Sequence, residues 1–127
     1  MENPFSDMSV ISTYSRAQAI EDGVLIDVTE EAKQAGFTIP VAVTQRLHAE
    51  YLVPDERADG QSYAGRLWDV LYLLRMAIRS NKEASLITFQ VGFIMKAKQK
   101  RTIGLKSQIH GGDAGEPVIT ISLPTED

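Results

Sequence analysis

The sequence predicts an α+β domain of two layers, in which short N-terminal helices and one long buried helix pack on a C-terminal three- to four-stranded antiparallel meander. Three observations predict it. From Leu67 to Arg79, ten of thirteen residues are apolar or aromatic, and Leu67, Leu71, Leu74 and Ile78 recur at helical spacing. From Ser85 to Lys96 the period drops to two, with Ile87, Phe89, Val91, Phe93 and Met95 on one face and Thr88, Gln90 and Lys96 on the other. Two further alternating runs follow, each after a turn-forming segment.

Taken in order, residues 1 to about 12 mix Pro, Asn, Ser and Asp without a period and read as a mobile lead to one domain over 13–127. Ser15 to Gln18 has capping-box spacing, so a short helix is expected to start there and to close at Gly23. Val24 to Val28 reads as a strand that Asp27 confines to an edge. Thr29 then fits an N-cap, with Glu30 and Glu31 in the first turn and Gly36 as the stop. Phe37 to Val43 carries Pro40 and is expected to be an extended connector. Thr44 opens a third helix that ends before Pro54, and the polar loop Pro54 to Gly60 leads into the central helix, Gln61 to Arg79.

In that helix Trp68, Val70, Leu73 and Ala77 widen the apolar stripe past half the circumference, which places Trp68 in the core. After the strand Ser85 to Lys96, the turn Lys98-Gln99-Lys100 leads to a strand from Thr102 to His110, with Ile103, Leu105 and Ile109 inward. The Gly-rich reversal Gly111 to Pro117 precedes the last strand, with Ile119, Ile121 and Leu123 inward. The meander exposes an apolar face, and the central helix is its expected lid.

Composition narrows the function classes. At 127 residues, with 43% hydrophobic and 24% charged residues, the chain has the makeup of one globular domain. With no cysteine it forms no disulfide, thiolate nucleophile or Cys-ligated metal site. Its apolar runs are too short to span a bilayer, and MENPFSDMSV has acidic residues where an export signal is basic, so a cytoplasmic location away from membranes is expected. The net charge of −4 is segregated: residues 1–65 carry −7, residues 66–110 carry +7 and residues 111–127 carry −4.

Each candidate for chemistry has a plain competitor. Lys96, Lys98, Lys100 and Arg101 form a basic hairpin tip suited to a phosphate backbone, while lysines also guard exposed turns against strand-to-strand association. His48 and His110 are the only histidines, and an acid–base pair or metal site, with or without Asp69, requires them to meet. The reversal after His110 brings Asp113 near it and has the glycines of a phosphate loop, without the Lys-Ser/Thr and helix that such a loop needs. Asp55, Glu56, Asp59, Glu30 and Glu31 offer an acidic patch that first-turn acids and a solvated loop also explain. Tyr63 and Arg66, at the start of the central helix, offer with Tyr72 an aromatic and arginine anchor for a partner protein, against the plainer reading that the aromatic residues here pack in the core. No pattern of catalytic residues, cofactor site or metal site emerges.

Two stretches carry a resemblance: Tyr14 to Val43, and GRLWDVL from Gly65 to Leu71 together with the ending GEPVITISLP from Gly115 to Pro124. Together they resemble a family of small uncharacterised bacterial proteins of plasmids and integrative elements. The resemblance implies an accessory role and brings no catalytic residues. The expected function is accordingly a non-enzymatic protein that binds a host protein or nucleoprotein, in the manner of an antirestriction or anti-CRISPR inhibitor, through the polar loop and helix start around Tyr63 and Arg66 or through the basic hairpin. The alternative is a nucleic-acid-binding accessory protein that works through the hairpin, and self-association through an exposed edge strand is open beside both.

Overall fold

Hydroxyl groups set where the helices start. The computed structural model describes residues 14–54, 62–95 and 98–126, so the expected lead over 1–12 and most of the loop before the central helix lie outside the described residues. Ser15 caps α1 (Arg16–Glu21) in a complete capping box with Gln18, Thr44 caps α3 (Gln45–Leu47), and Ser62 caps α4 (Tyr63–Ser80) by accepting from Gly65 N. α2 (Thr29–Gln34) departs from the expected pattern. Thr29 is its first helical residue rather than its cap, and the Asp27 carboxylate takes both the Thr29 amide at 3.0 Å and the Thr29 hydroxyl at 2.5 Å. After Leu47 the third helix widens into a π-helical turn over His48–Leu52 and ends before Pro54.

The sheet is mixed and has five strands: β1 (Leu25–Asp27), β2 (Val41–Thr44), β3 (Leu86–Ile94), β4 (Lys100–Gly111) and β5 (Pro117–Ser122), in the order β1-β2-β5-β4-β3. The C-terminal meander forms as the sequence predicts, with Phe89 opposite Leu105 and Ile109 opposite Ile119. Beyond it the layout differs from expectation, because Val41 to Thr44 is no connector. It is an interior strand, antiparallel to β1 and parallel to β5, with Val41 opposite Ile119. Val41, Ala42 and Val43 are all fully buried, as befits a strand covered on both faces. Pro40 stands just before the first paired residue, where it lacks only a donor; its carbonyl accepts from Ile119 N at 2.9 Å.

α4 lies on one face of the sheet and buries Leu67, Val70, Leu71 and Leu74 against Ile87, Phe89, Val91 and Phe93 of β3 and the inward residues of β4 and β5. Each such side chain contributes about 1.5–3 kcal/mol relative to leaving it in water. The far end of α4 is tied to α2, where Arg75 Nη1 donates to Ala35 O and the guanidinium lies against Gly36. Gly36 has φ +100, and a Cβ there would come within 2.5 Å of that guanidinium, so both the turn and the contact require glycine.

Among the described residues the opposite face is covered only in part. α1 lies over the β1 end, and the tail following Leu123 turns back so that Glu126 accepts from Thr44 Oγ1 and Leu123 N, both at 2.8 Å, while Lys106 Nζ donates to Glu126 O. Thr88, Gln90, Lys100, Thr102 and Gln108 remain exposed there.

Candidate functional site

The outward face of α4 carries large exposed apolar side chains. Trp68, Tyr72 and Met76, spaced at i, i+4 and i+8, form one ridge and are 46%, 51% and 45% exposed. Trp68 is therefore not core, contrary to the sequence expectation. The sheet and α2 cover one side of α4, and the wide apolar stripe runs past what they cover. Beside the ridge a groove of about 120 Å³ separates α4 from α2, lined by Glu31, Gln34, Tyr63, Leu67, Trp68 and Leu71 among others.

Tyr63, the first residue of α4, is half-buried at the head of that groove, with its ring 5.2 Å from the His48 ring in an edge-on contact. Burial, and then the Glu31 carboxylate, raise its phenol above the ordinary tyrosine value. His48 Nδ1 is buried without a hydrogen-bond partner among the described residues.

Arg66, one turn further along α4, is no surface anchor. It is 2% exposed, and its guanidinium donates to Tyr51 O at 2.7 Å and Ile94 O at 2.6 Å while lying 5.2 Å from the centre of the Phe93 ring. Burial lowers its pKa from the ordinary arginine value. Tyr51 stacks on Phe93 at 6.3 Å, and Arg101 lies 5.6 Å from the Tyr51 ring, so two arginines enclose two aromatic rings. This clasp joins the π-helical turn, α4 and β3, which makes Arg66 a structural residue and leaves Tyr63 as the accessible one of the expected pair.

The basic hairpin tip is split by the strand pleat. Lys96 lies outside the described residues. Lys98 is exposed in the turn with φ +59, Lys100 lies across Gly92 on the open sheet face, and Arg101 sits over Tyr51 on the helix-bearing side.

Nor do the histidines meet. His48 packs on Tyr63 in the helix layer, whereas His110 lies on the opposite face, with Nε2 2.8 Å from Thr120 Oγ1 and Nδ1 3.1 Å from Gly111 O. Arg16 reaches the same hydroxyl from α1, donating through Nη1 at 2.8 Å to Thr120 Oγ1 and through Nη2 at 2.9 Å to Ile119 O. Burial lowers the Arg16 pKa against the opposing pull of Asp27, Asp113 and Glu116. Asp113 turns to α1, accepting from Arg16 N at 2.6 Å and Ala17 N at 3.0 Å. An open cleft of about 650 Å³ lies among these groups. Its arginine, histidine and hydroxyl are spent on one another and on β5, which is the bonding of a clasp between α1 and the sheet. The glycine-rich reversal closes on itself, Gly112 N donating to Glu116 O at 2.6 Å, instead of cradling a phosphate. Among the described residues no group of three or more His, Asp and Glu is placed to hold a metal ion. In the acidic patch, Glu30 pairs with Lys33 at 3.2 Å and Glu31 borders the groove; Asp55, Glu56 and Asp59 lie outside the described residues.

A family profile matches this chain over residues 1–127. The chain belongs to DUF6573, a family of unknown function. No curated protein and no solved structure matches it. Membership of DUF6573 supports the resemblance read from Tyr14 to Val43 and from Gly65 to Leu71 as far as an uncharacterised family, and brings no ligand, partner or reaction with it. Among the described residues no helix is long and apolar enough to cross a membrane.

Sequence reasoning missed two features of this surface. The Trp68–Tyr72–Met76 ridge was visible as an i, i+4, i+8 series, but in so apolar a helix nothing in the sequence separates a covered stripe from an open one. The Arg16–Thr120 clasp joins residues more than a hundred positions apart and left no local signal.

Proposed function

We propose that this protein is a non-enzymatic binding module that docks a partner protein on the outward face of α4. One observation carries the reading: Trp68, Tyr72 and Met76 stand together, about half exposed, on a rigid helix whose other side is fixed in the core. Aromatic residues and methionine flanked by arginine have the composition of interface centres, and a ridge on a packed helix loses little entropy on binding. Tyr63 and the groove beside α2 extend the surface. Arg79 is exposed beside the C-terminal end of the ridge, while Arg75 is held to Ala35 O, so the partner that fits presents apolar side chains bordered by a carboxylate. In the mobile-element setting that the resemblance implies, that partner is a host protein and the module an inhibitor of a defence system.

The test is capture of partners from host lysate with nuclease present and at raised salt, by the wild type and by a Trp68→Ala/Tyr72→Ala variant. The reading requires a stoichiometric protein that survives both treatments and is lost from the variant. Equal capture by the variant refutes it.

A second reading, nucleic-acid binding through the hairpin, rests on the exposure of Lys98, Lys100 and Arg101 around one tip. Phosphate contacts weaken steeply with salt, whereas a packed apolar interface does not. Changing those three residues to Ser abolishes low-salt binding to duplex or single strands if this reading holds, and leaves it unchanged otherwise.

A further inference from the structure

β3 is an outermost strand of the sheet, and it runs for nine residues, Leu86–Ile94. Its bonds to β4 are made by alternate residues. Met95 N donates to Gln99 O and Ile109 N to Ser85 O, so the odd-numbered residues of β3 exchange bonds with β4. In an antiparallel ladder the residues between them direct N–H and C=O the other way. Those residues are Leu86, Thr88, Gln90, Gly92 and Ile94. Arg66 occupies Ile94 O, and among the described residues the other four have no backbone partner on that side.

An edge of this length is ordinarily guarded by a lysine, a proline, a bulge or a covering element, because its free donors and acceptors recruit another strand. The stretch LITFQVGFI has no charge and no proline, and its ladder with β4 runs unbroken from Leu86 to Ile94. Leu86 is 54% exposed at one end.

We infer that β3 pairs antiparallel with β3 of a second copy across a two-fold axis at Phe89, joining two five-stranded sheets into one. The position of the axis follows from which groups are free. With the axis there, Leu86 faces the partner's Gly92 and Thr88 faces the partner's Gln90, so each of the four open residues exchanges both bonds and Ile94 O stays with Arg66. An axis at Gln90 sets Leu86 against Ile94 and displaces Arg66; an axis at Thr88 leaves Gly92 unpaired. The same patch serves both copies, as a two-fold interface requires. Its outer face sets Thr88 beside an amide with no like-charge conflict, and the Lys100 stem lying over Gly92 covers the leucine that arrives there. This inference rests on the strand edge and not on the α4 ridge, which the pairing leaves outside the new ladder.

The test is sedimentation equilibrium of the full chain over a range of concentrations, with amide hydrogen exchange on the same samples. The expected result is a species of twice the 14.0 kDa chain in which the amides of Leu86, Thr88, Gln90 and Gly92 are protected. Thr88→Lys/Gln90→Lys sets lysine against lysine at exposed positions and weakens self-association by about tenfold or more, and Thr88→Glu/Gln90→Glu does the same. An equal mixture of the two variants restores the dimer. A monomer at every concentration overturns the inference, and so does protection of those four amides in a monomer, which means that the chain covers its own edge. A dimer that persists in both variants with the four amides unprotected assigns the contact to another surface and equally overturns it. Circular dichroism of the variants separates loss of pairing from loss of fold, and Trp68→Ala/Tyr72→Ala leaves the dimer intact.

Discussion

Arg66 lies under Phe93, its guanidinium 5.2 Å from the ring centre, and from that position it donates to the carbonyls of Tyr51 and Ile94. One buried cation thereby joins the end of the π-helical turn, the first turns of α4 and the end of β3. A guanidinium can do this because its planar fork serves two carbonyls while its face rests on a ring. Arg66→Ala leaves two carbonyls without that donor and opens a space beside Phe93, and it is expected to cost about 3 kcal/mol or more. Arg66→Lys is expected to recover only part of the loss. Urea unfolding followed by circular dichroism measures both; an alanine variant within about 0.5 kcal/mol of wild type contradicts the structural role.

On the other side of α4, Trp68 and Leu71 are close in sequence and opposite in burial, Trp68 about half exposed and Leu71 fully buried. Leu71→Ala is expected to cost about 2–5 kcal/mol through lost burial and a residual cavity. Trp68→Ala is expected to cost less than that, about 1–2 kcal/mol, because its ring is only partly removed from water on folding. The same chemical denaturation series decides it. Similar losses for the two variants return Trp68 to the core and remove the ridge on which the proposed function stands.

The long elements were legible in the sequence because periodicity is a local signal. The central helix shows a 3.6-residue period from Leu67 to Ile78, and β3 shows strict inward alternation from Ile87 to Phe93; both elements formed where those patterns lie. β2 was not legible. A four-residue strand whose first three residues are buried on both faces shows no alternation, and Pro40 immediately before it is an ordinary mark of a connector. That one short strand inserts between β1 and β5 and turns an antiparallel meander into a mixed five-stranded sheet.

Which side chains of the central helix face outward was not legible. Aromatic residues and arginine at the head of the helix suggested an anchor of Tyr63 and Arg66, whereas the fold turns Arg66 inward and Trp68 outward. Helical spacing orders side chains around an axis but does not say which arc the sheet covers. At the hairpin the same ambiguity divided Lys100 from Arg101, because neighbours in a strand point to opposite faces.

Asp113 holds the start of α1 from 97 residues away, accepting the Arg16 amide at 2.6 Å. A six-residue helix is too short to persist by its own propensity, so such contacts decide whether it forms. Asp113→Ala is expected to cost about 1 kcal/mol, as loss of a helix cap does. The loss is local. Amide exchange in Arg16 to Ile20 should quicken well before that of α4, and an unchanged exchange pattern in α1 argues against the contact.

Tyr63 gives the fold a sensitivity to alkali. Its phenol is raised above the ordinary value of 10.0, first by burial beside His48 and then by Glu31, so the folded state holds the proton more tightly than the unfolded chain. The sign follows from that order: the stabilising contribution is complete below the unfolded value near 10 and is lost as pH rises through the higher folded value. Unfolding midpoints measured from pH 8 to 11 should therefore fall more steeply at the alkaline end for the wild type than for Tyr63→Phe, which has no proton to lose. Glu31→Gln removes the smaller cause and should shift the Tyr63 titration toward the ordinary value without abolishing the slope. Parallel curves for wild type and Tyr63→Phe would mean that the phenol is solvated and that the groove beside α2 is open to water down to His48.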